Sequence, residues 1–202
     1  MTSMLALIMA GGRGRRMLSN EEKPMMLVKG KPMVSYVFNA LKDSNCFQKI
    51  IAVVSDNTQK TAQFLANAGA EVANSSGNDY VKDLNNALEI IRPNKALVIS
   101  GDMPLIDSNT IKKIVNSFDN CKKPCLTVMV SKEVFDDLGV TADYCLEHNG
   151  MIVCNTGISI IDSSQVNGYS SIDEELLVMD KIQLAINVNT KHELQIAERT
   201  LA

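Results

Sequence analysis

Apolar runs alternate with amphipathic stretches through the first two-thirds of the chain. Residues 4–10 (MLALIMA) are continuously apolar and stop at Gly11, Gly12 and Gly14. A run that is apolar at successive positions predicts a strand buried on both faces. The same pattern recurs at 49–55 (KIIAVVS), 95–100 (KALVIS) and 125–130, with shorter strands at 25–28 and 70–73. Between them the spacing turns helical. Met33, Val37, Ala40 and Leu41 share one face of a helix over 32–43, with Pro32 at its favoured first position. Ala62, Leu65 and Ala66 do the same over 57–68, where Gly69 closes the helix. A third helix runs from Asp79 or Tyr80 to 91, and a fourth, capped by Asp107, Ser108 or Asn109, runs to 118. Strand and helix in this rhythm predict a Rossmann-like α/β fold, three layers deep, around a mostly parallel sheet with right-handed crossovers.

From Ser131 the pattern changes. Residues 143–147 and 151–154 flank His148-Asn149-Gly150, an Asn-Gly turn of the kind that closes hairpins. Residues 157–161 read as another strand. Residues 175–179 and 184–188 read as a strand pair, the first of them equally compatible with a helix. The last helix begins at Thr190, where Thr190-Lys-His-Glu193 spells a capping box. With no internal repeat, low-complexity stretch or linker, the antiparallel part reads as a small insertion in the C-terminal half of one domain covering 1–202.

Composition narrows the classes. The 202 residues suit one domain with a sizeable core. A net charge of −3 argues against a nucleic-acid binder, whose footprint is a basic face. No apolar run approaches a membrane span, and residues 1–10 lack the basic leader and cleavage site of a signal peptide. Five cysteines at irregular spacing suit a reducing cytoplasm. Cys121, Cys125, Cys145, His148 and Cys154 lack the paired short turns of zinc modules, so metal ligation there is disfavoured.

The chemistry begins where the first strand ends. Ala10, Gly11, Gly12, Arg13, Gly14, Arg15 and Arg16 make a Gly-rich break crowded by three guanidinium groups, and Lys23–Pro24 follows. Glycines turn the backbone sharply and bare its N–H groups, and the arginines add fixed positive charge. Such a stretch suits a polyanion, most commonly a nucleoside triphosphate. It is not a Walker loop, since Gly30–Lys31 is followed by Pro32, and Met17 stands where a dinucleotide fingerprint needs a small residue. In an open parallel sheet, ligands bind at the carboxyl ends of strands. Three marked stretches occur at such ends: 10–16, 74–83 and 101–104. Asp102, after a buried strand and Gly101, is placed to hold Mg²⁺ against a triphosphate. Lys23, Arg13 and Arg16 are candidate donors to charge that grows at the phosphates in the transition state. Asp79 or Asp83 can accept from guanine's N1–H and its amine, a pairing adenine cannot offer.

The pattern A-G-G-x-G-x-R-M with a downstream K-P resembles the signature of nucleotidyltransferases that join a nucleoside triphosphate to a phosphorylated acceptor, with Arg15 where Thr or Ser is usual. In that superfamily the G-D-x-P segment, here Gly101 to Pro104, holds the metal. The resemblance implies an Asn before the last helix completing the metal shell, here Asn189 or Asn187. Residues 75–85 (SSGNDYVKDLN), with Ser75, Gly77, Asp79, Asp83 and Leu84, resemble the base-recognition stretch of the archaeal GTP:adenosylcobinamide-phosphate guanylyltransferases. The C-terminal run from Asn155 to Thr190 is similar to theirs as well, so the likeness spans nearly the whole chain.

The resemblance implies an Mg²⁺-dependent cytoplasmic enzyme that transfers GMP from GTP to adenosylcobinamide phosphate. Arg16, Lys23 and Asp102 are its expected catalytic residues, and a homodimer is compatible with this reading. A molybdopterin or sugar-phosphate nucleotidyltransferase is the alternative within the chemistry. A GTP-binding regulatory module without transferase activity is the alternative outside it.

Overall fold

The computed structural model describes residues 4–12 and 21–201. The first apolar run is strand β1 (Met4–Met9), buried at every position. A short hairpin follows, β2 (Leu27–Val28) with β3 (Lys31–Pro32). Pro32 proves to be the cap of helix α1 (Met33–Ser44), not its first residue, and Asn45 ends that helix in the left-handed conformation. Then come β4 (Lys49–Val54), α2 (Gln59–Ala68), β5 (Glu71–Asn74) and α3 (Tyr80–Ile90). After them come β6 (Lys95–Ser100), α4 (Ser108–Phe118) and β7 (Cys125–Ser131). Of the three candidate caps before α4, Asp107 is the one whose side chain accepts from a helical N–H, that of Thr110 at 2.9 Å.

β1 pairs in parallel with β4 on one side and β6 on the other, and β4 pairs in parallel with β5. Successive side chains of a strand point to opposite faces. Ala6 and Ile8 accordingly join Val37, Leu41, Leu65, Ile111 and Ile114 of α1, α2 and α4. Leu5, Leu7 and Met9 join Ala87 and Leu88 of α3 on the other face. Helices on both faces explain why β1, β4 and β6 read as unbroken apolar runs.

The later third departs from expectation in four places. Helix α5 (Lys132–Leu138) was not foreshadowed, because only Phe135 of its seven residues is buried and so no apolar stripe marks it. After β8 (Cys145–His148), residues 151–154 and 157–161 form not two strands but one, β9 (Met151–Asp162). Gly157, at φ +79°, passes the chain through a register shift opposite Thr127 and Met129, which a sequence pattern reads as a break. β10 (Glu174–Val178) pairs in parallel with β7, and residues 184–188 are not its partner. Those residues leave the short helix α6 (Ile182–Ala185) and lead to α7 (Lys191–Thr200). Finally, Cys145 and Cys154 are joined as a disulfide across β8 and β9, against the expectation of reduced thiols.

Among the described residues the sheet has eight strands, in order β10-β7-β9-β6-β1-β4-β5 with β8 beside β9. β9 runs antiparallel to β6, β7 and β8, and is the antiparallel element expected in the C-terminal half. No helix among the described residues is long and apolar enough to cross a membrane.

Candidate active site

The chain leaves β1 toward β4 on one side, then returns after β5 to build β6 on the other. That reversal opens a crevice at the carboxyl ends of β1 and β6. Backbone hydrogen bonds carry the sheet pairing into the crevice: Ala10 N–H donates to the Val53 carbonyl at 2.8 Å and Gly101 N–H to the Met9 carbonyl at 3.0 Å. Ser75 N–H donates to the Val54 carbonyl at 2.6 Å, which brings the segment after β5 to the same edge.

Asp102 sits at the centre, nearly buried. Its carbonyl accepts from Val188 N–H at 2.9 Å, so the segment before α7 is stitched to it. Lys23 donates its ammonium to the Asp102 carboxylate and, at 2.7 Å, to Asn189 Oδ1. The Asn189 amide is oriented by its own nitrogen, which donates to the Asn187 carbonyl at 3.2 Å. The expected capping box holds this segment: Glu193 Oε2 accepts from Asn189 N–H at 2.6 Å and from Thr190 N–H at 2.7 Å. Asp102 and Asn189 thus turn two hard oxygens onto one cation, a donor set that fits Mg²⁺ completed by phosphates and water. Asn187 turns its amide nitrogen toward Asp102 Oδ1 at 3.4 Å, so the group it offers there is a donor.

Two cavities lie beside Tyr80, and Asn189 lines one of them. One, of about 300 Å³, is lined by Gly11, Gly12, Ser75, Gly77, Asp79 and Asp83. The other, of about 390 Å³, is lined by Leu84, Thr141, Tyr144, Asn155, Asn187 and Asn189. Tyr80 lines both. Desolvation first, and the Asp102 charge second, push its phenol up to about 12. The residue as a whole is half exposed, so the desolvation acts at its hydroxyl end.

The stretch expected to read a base is a tight loop built on Asp83. That carboxylate is nearly buried and accepts from Ser76 N–H at 2.9 Å, Ser76 Oγ at 2.8 Å and Gly77 N–H at 2.9 Å. Asp79 caps α3, accepting from Lys82 N–H at 3.1 Å through Oδ1. Gly77 has φ +65°, and a Cβ there would stand 2.4 Å from Ser55 Oγ and 2.5 Å from the Gly11 carbonyl.

Residues 6–149 match the model of the MobA-like NTP transferase domain. The chain belongs to that family. The adenosylcobinamide-phosphate guanylyltransferase of Methanocaldococcus jannaschii is 33% identical over 98% of this chain and 97% of its own length. A probable molybdenum cofactor guanylyltransferase of Thermococcus kodakarensis is 30% identical over 60% of this chain and 57% of its own. Among solved structures, a putative glucose-1-phosphate thymidylyltransferase of Bacillus anthracis superposes with a TM-score of 0.75, at 18% identity, covering 98% of this chain and 95% of that one. The chain is a nucleotidyltransferase with the α/β fold of that class.

In this transferase Gly11, Gly12, Ser75, Gly77, Asp79 and Asp83 line the smaller cavity, and Leu84 and Asn189 the larger. Lys23 and Asp102 join Asn189 through hydrogen bonds, and Ala10 and Gly101 lie side by side just past β1 and β6. Arg13, Gly14 and Arg16 lie outside the described residues. Sequence reading missed three groups. Ser55 donates to the Gly11 carbonyl at 2.7 Å while its Oγ accepts from Asn57 N–H at 3.2 Å. Its signal was the Ser-Asp-Asn-Thr that follows an apolar strand and forms a capping box. Tyr80 was read as a helix start and as one of the residues of the stretch 75–85, with no role of its own, and Glu22 was given none.

Proposed function

We propose that this nucleotidyltransferase moves GMP from GTP to adenosylcobinamide phosphate, giving adenosylcobinamide-GDP and pyrophosphate. One observation carries the reading: Lys23, Asp102 and Asn189 are joined by hydrogen bonds, Asn189 lines the larger of two cavities, and that cavity shares Tyr80 with one built on the Gly11 and Ser75–Asp83 segments. Likeness over the full length to a guanylyltransferase with that acceptor supports it.

The nucleoside occupies the smaller cavity and the acceptor's phosphate approaches from the larger. An acceptor phosphate oxygen attacks the α-phosphorus. The bond from that phosphorus to the β-bridging oxygen breaks, and pyrophosphate leaves with the electron pair. A phosphate dianion is already a nucleophile, so the chain needs no general base, and catalysis rests on positioning and charge stabilisation. Asp102 and Asn189 would hold Mg²⁺, which when bound offsets charge on the triphosphate. Lys23 lies beside that position and donates to the α-phosphate oxygens, and Arg13 and Arg16 to those of the β- and γ-phosphates. Asp83 shapes the base loop, leaving Asp79 to accept from guanine.

The test is incubation with labelled GTP, Mg²⁺ and a panel of acceptors: adenosylcobinamide phosphate, molybdopterin and sugar 1-phosphates. Pyrophosphate and a GDP-capped corrinoid are the expected products. Turnover with another acceptor alone would replace the corrinoid reading, and GTP binding without pyrophosphate would replace the transferase reading of the site.

A further inference from the structure

The first turn of α2, with the short turn that leads into it, holds the chain on both sides of the segment 13–20. On one side, Ser55, just before that helix, holds the Gly11 carbonyl. On the other, the Glu22 carboxylate reaches across 38 residues of sequence to accept from Lys60 N–H at 2.8 Å. It also accepts from Thr61 N–H and Thr61 Oγ1, both at 2.7 Å. Those two N–H groups belong to the helix's first turn, where no intrahelical partner exists and negative charge is favoured. Thr61 is fully buried, so the anchor point is set in the core and not on a surface chain. Glu22 also uses its backbone, its carbonyl accepting from Met25 N–H at 2.8 Å to start the turn Lys23–Met25. Lys23 is the next residue, and its long side chain ends between Asp102 and Asn189.

We propose that Glu22 is a positioning residue for Lys23. By fixing the backbone one residue before Lys23 to the start of α2, it aims the ammonium at Asp102 and Asn189. A lysine side chain is flexible and carries its charge on four methylenes, so its aim is only as good as the backbone that launches it. A small misplacement of a group acting on the transition state costs rate steeply. The proposal rests on the reading of Lys23 as a donor to the α-phosphate, and the experiment separates the two.

Glu22→Gln, Glu22→Ala and Thr61→Val are compared with the parent in the full chain. Glu22→Gln turns one of the two acceptor oxygens into a donor, facing either Lys60 N–H or Thr61 N–H and its hydroxyl. Thr61→Val removes only the hydroxyl contact and keeps the helix. The first readout is the rate at which an N-hydroxysuccinimide ester acylates Lys23 without nucleotide, normalised to exposed Lys112 by peptide mass spectrometry. A several-fold rise is expected in both Glu22 variants and a smaller one in Thr61→Val. The second is single-turnover transfer with whichever acceptor turns over. A fall of about tenfold or more is expected, with GTP affinity held within about threefold. Unchanged Lys23 acylation in all three variants overturns the proposal. So do equal losses of rate and affinity that merely track a lower Tm, because these mark a structural role. If GTP with Mg²⁺ does not slow Lys23 acylation in the parent, the α-phosphate reading falls, while the nucleotide-free rates still decide whether Glu22 aims Lys23.

Discussion

Lys23 donates its ammonium to the carboxylate of Asp102 across 79 residues of sequence, with only about an eighth of either side chain's surface exposed (15% and 12%). An ammonium so placed holds a cation position at the centre of the crevice. On the proposed reading, a divalent ion bound there would share the same carboxylate, and Asp102 would then serve both metal and lysine.

Asp102→Asn is therefore expected to keep the fold and lose transfer by several orders of magnitude. An uncharged amide is a weaker Mg²⁺ ligand than a carboxylate, and the change also removes the negative charge that pairs with Lys23. Rates at saturating Mg²⁺ beside a far-ultraviolet dichroism spectrum check this. Transfer within about tenfold of the parent would take Asp102 out of the metal role.

Lys23→Ala is expected to depress the single-turnover rate far more than GTP affinity, since its ammonium acts on charge that grows at the α-phosphate. Rapid-quench kinetics with calorimetric titration separate the two. An affinity loss with an unchanged rate would assign Lys23 to ground-state binding instead.

The Tyr80 phenol, raised from its ordinary 10 to about 12, keeps its proton in the native state where the unfolded chain loses it. Its contribution to stability is whole below pH 10 and is lost as pH rises from 10 toward 12. Tyr80→Phe should flatten that part of the alkaline decline, read from urea midpoints at pH 9, 10 and 11. Parallel declines in parent and variant would mean that the phenol is not held this way.

Most of this arrangement was legible in the sequence. β1, β4 and β6 are buried on both faces, so their apolar runs announced them, and the marked residues fall at the carboxyl ends of β1, β5 and β6. Capping residues announced α4 and α7, because a cap is a local hydrogen bond between near neighbours. Relationships that depend on register or on distant backbone stayed hidden. Residues 184–188 are apolar because they are buried, yet they pair with no strand: Val188 is held by the Asp102 carbonyl instead. Glu22 reaches α2 through space, and nothing in Glu-Glu-Lys-Pro states its partner. The Cys145–Cys154 pair was within reach. A two-residue Asn149–Gly150 turn sets His148 opposite Met151, and stepping back three positions on each strand sets the cysteines opposite one another.

GTP is expected to bind at least about tenfold more tightly than ATP, because a carboxylate facing adenine is left without its donors, at a cost of about 1–3 kcal/mol. The two loop carboxylates should separate in this test. Asp83 is already occupied by Ser76 and Gly77, so Asp83→Ala unpairs three donors and should weaken GTP and ATP together. Asp79 keeps one oxygen on Lys82, and Asp79→Ala should erase the preference for guanine. Calorimetric titration of both nucleotides in Mg²⁺ decides. Equal affinities in the parent would sink the guanylyltransferase reading.

Gly77→Ala tests whether the base loop must touch the first loop at all. At φ +65° an L side chain is disfavoured by roughly 1–2 kcal/mol before any contact is made. Here the added methyl also meets Ser55 Oγ and the Gly11 carbonyl at 2.4 and 2.5 Å, well inside van der Waals contact. Ser55 cannot swing aside freely, because its hydroxyl holds that carbonyl and caps the turn before α2. The loop must therefore lift, which undoes the Asp83 contacts and widens the nucleoside cavity. The expected result is a loss of GTP binding of about a hundredfold or more, with a smaller fall in Tm, since the core beneath α1 and α4 is untouched. Ser55→Gly beside Gly77→Ala removes the nearest clash and should restore part of the binding. A single Gly77→Ala variant that binds GTP like the parent would show that the two loops do not need this contact.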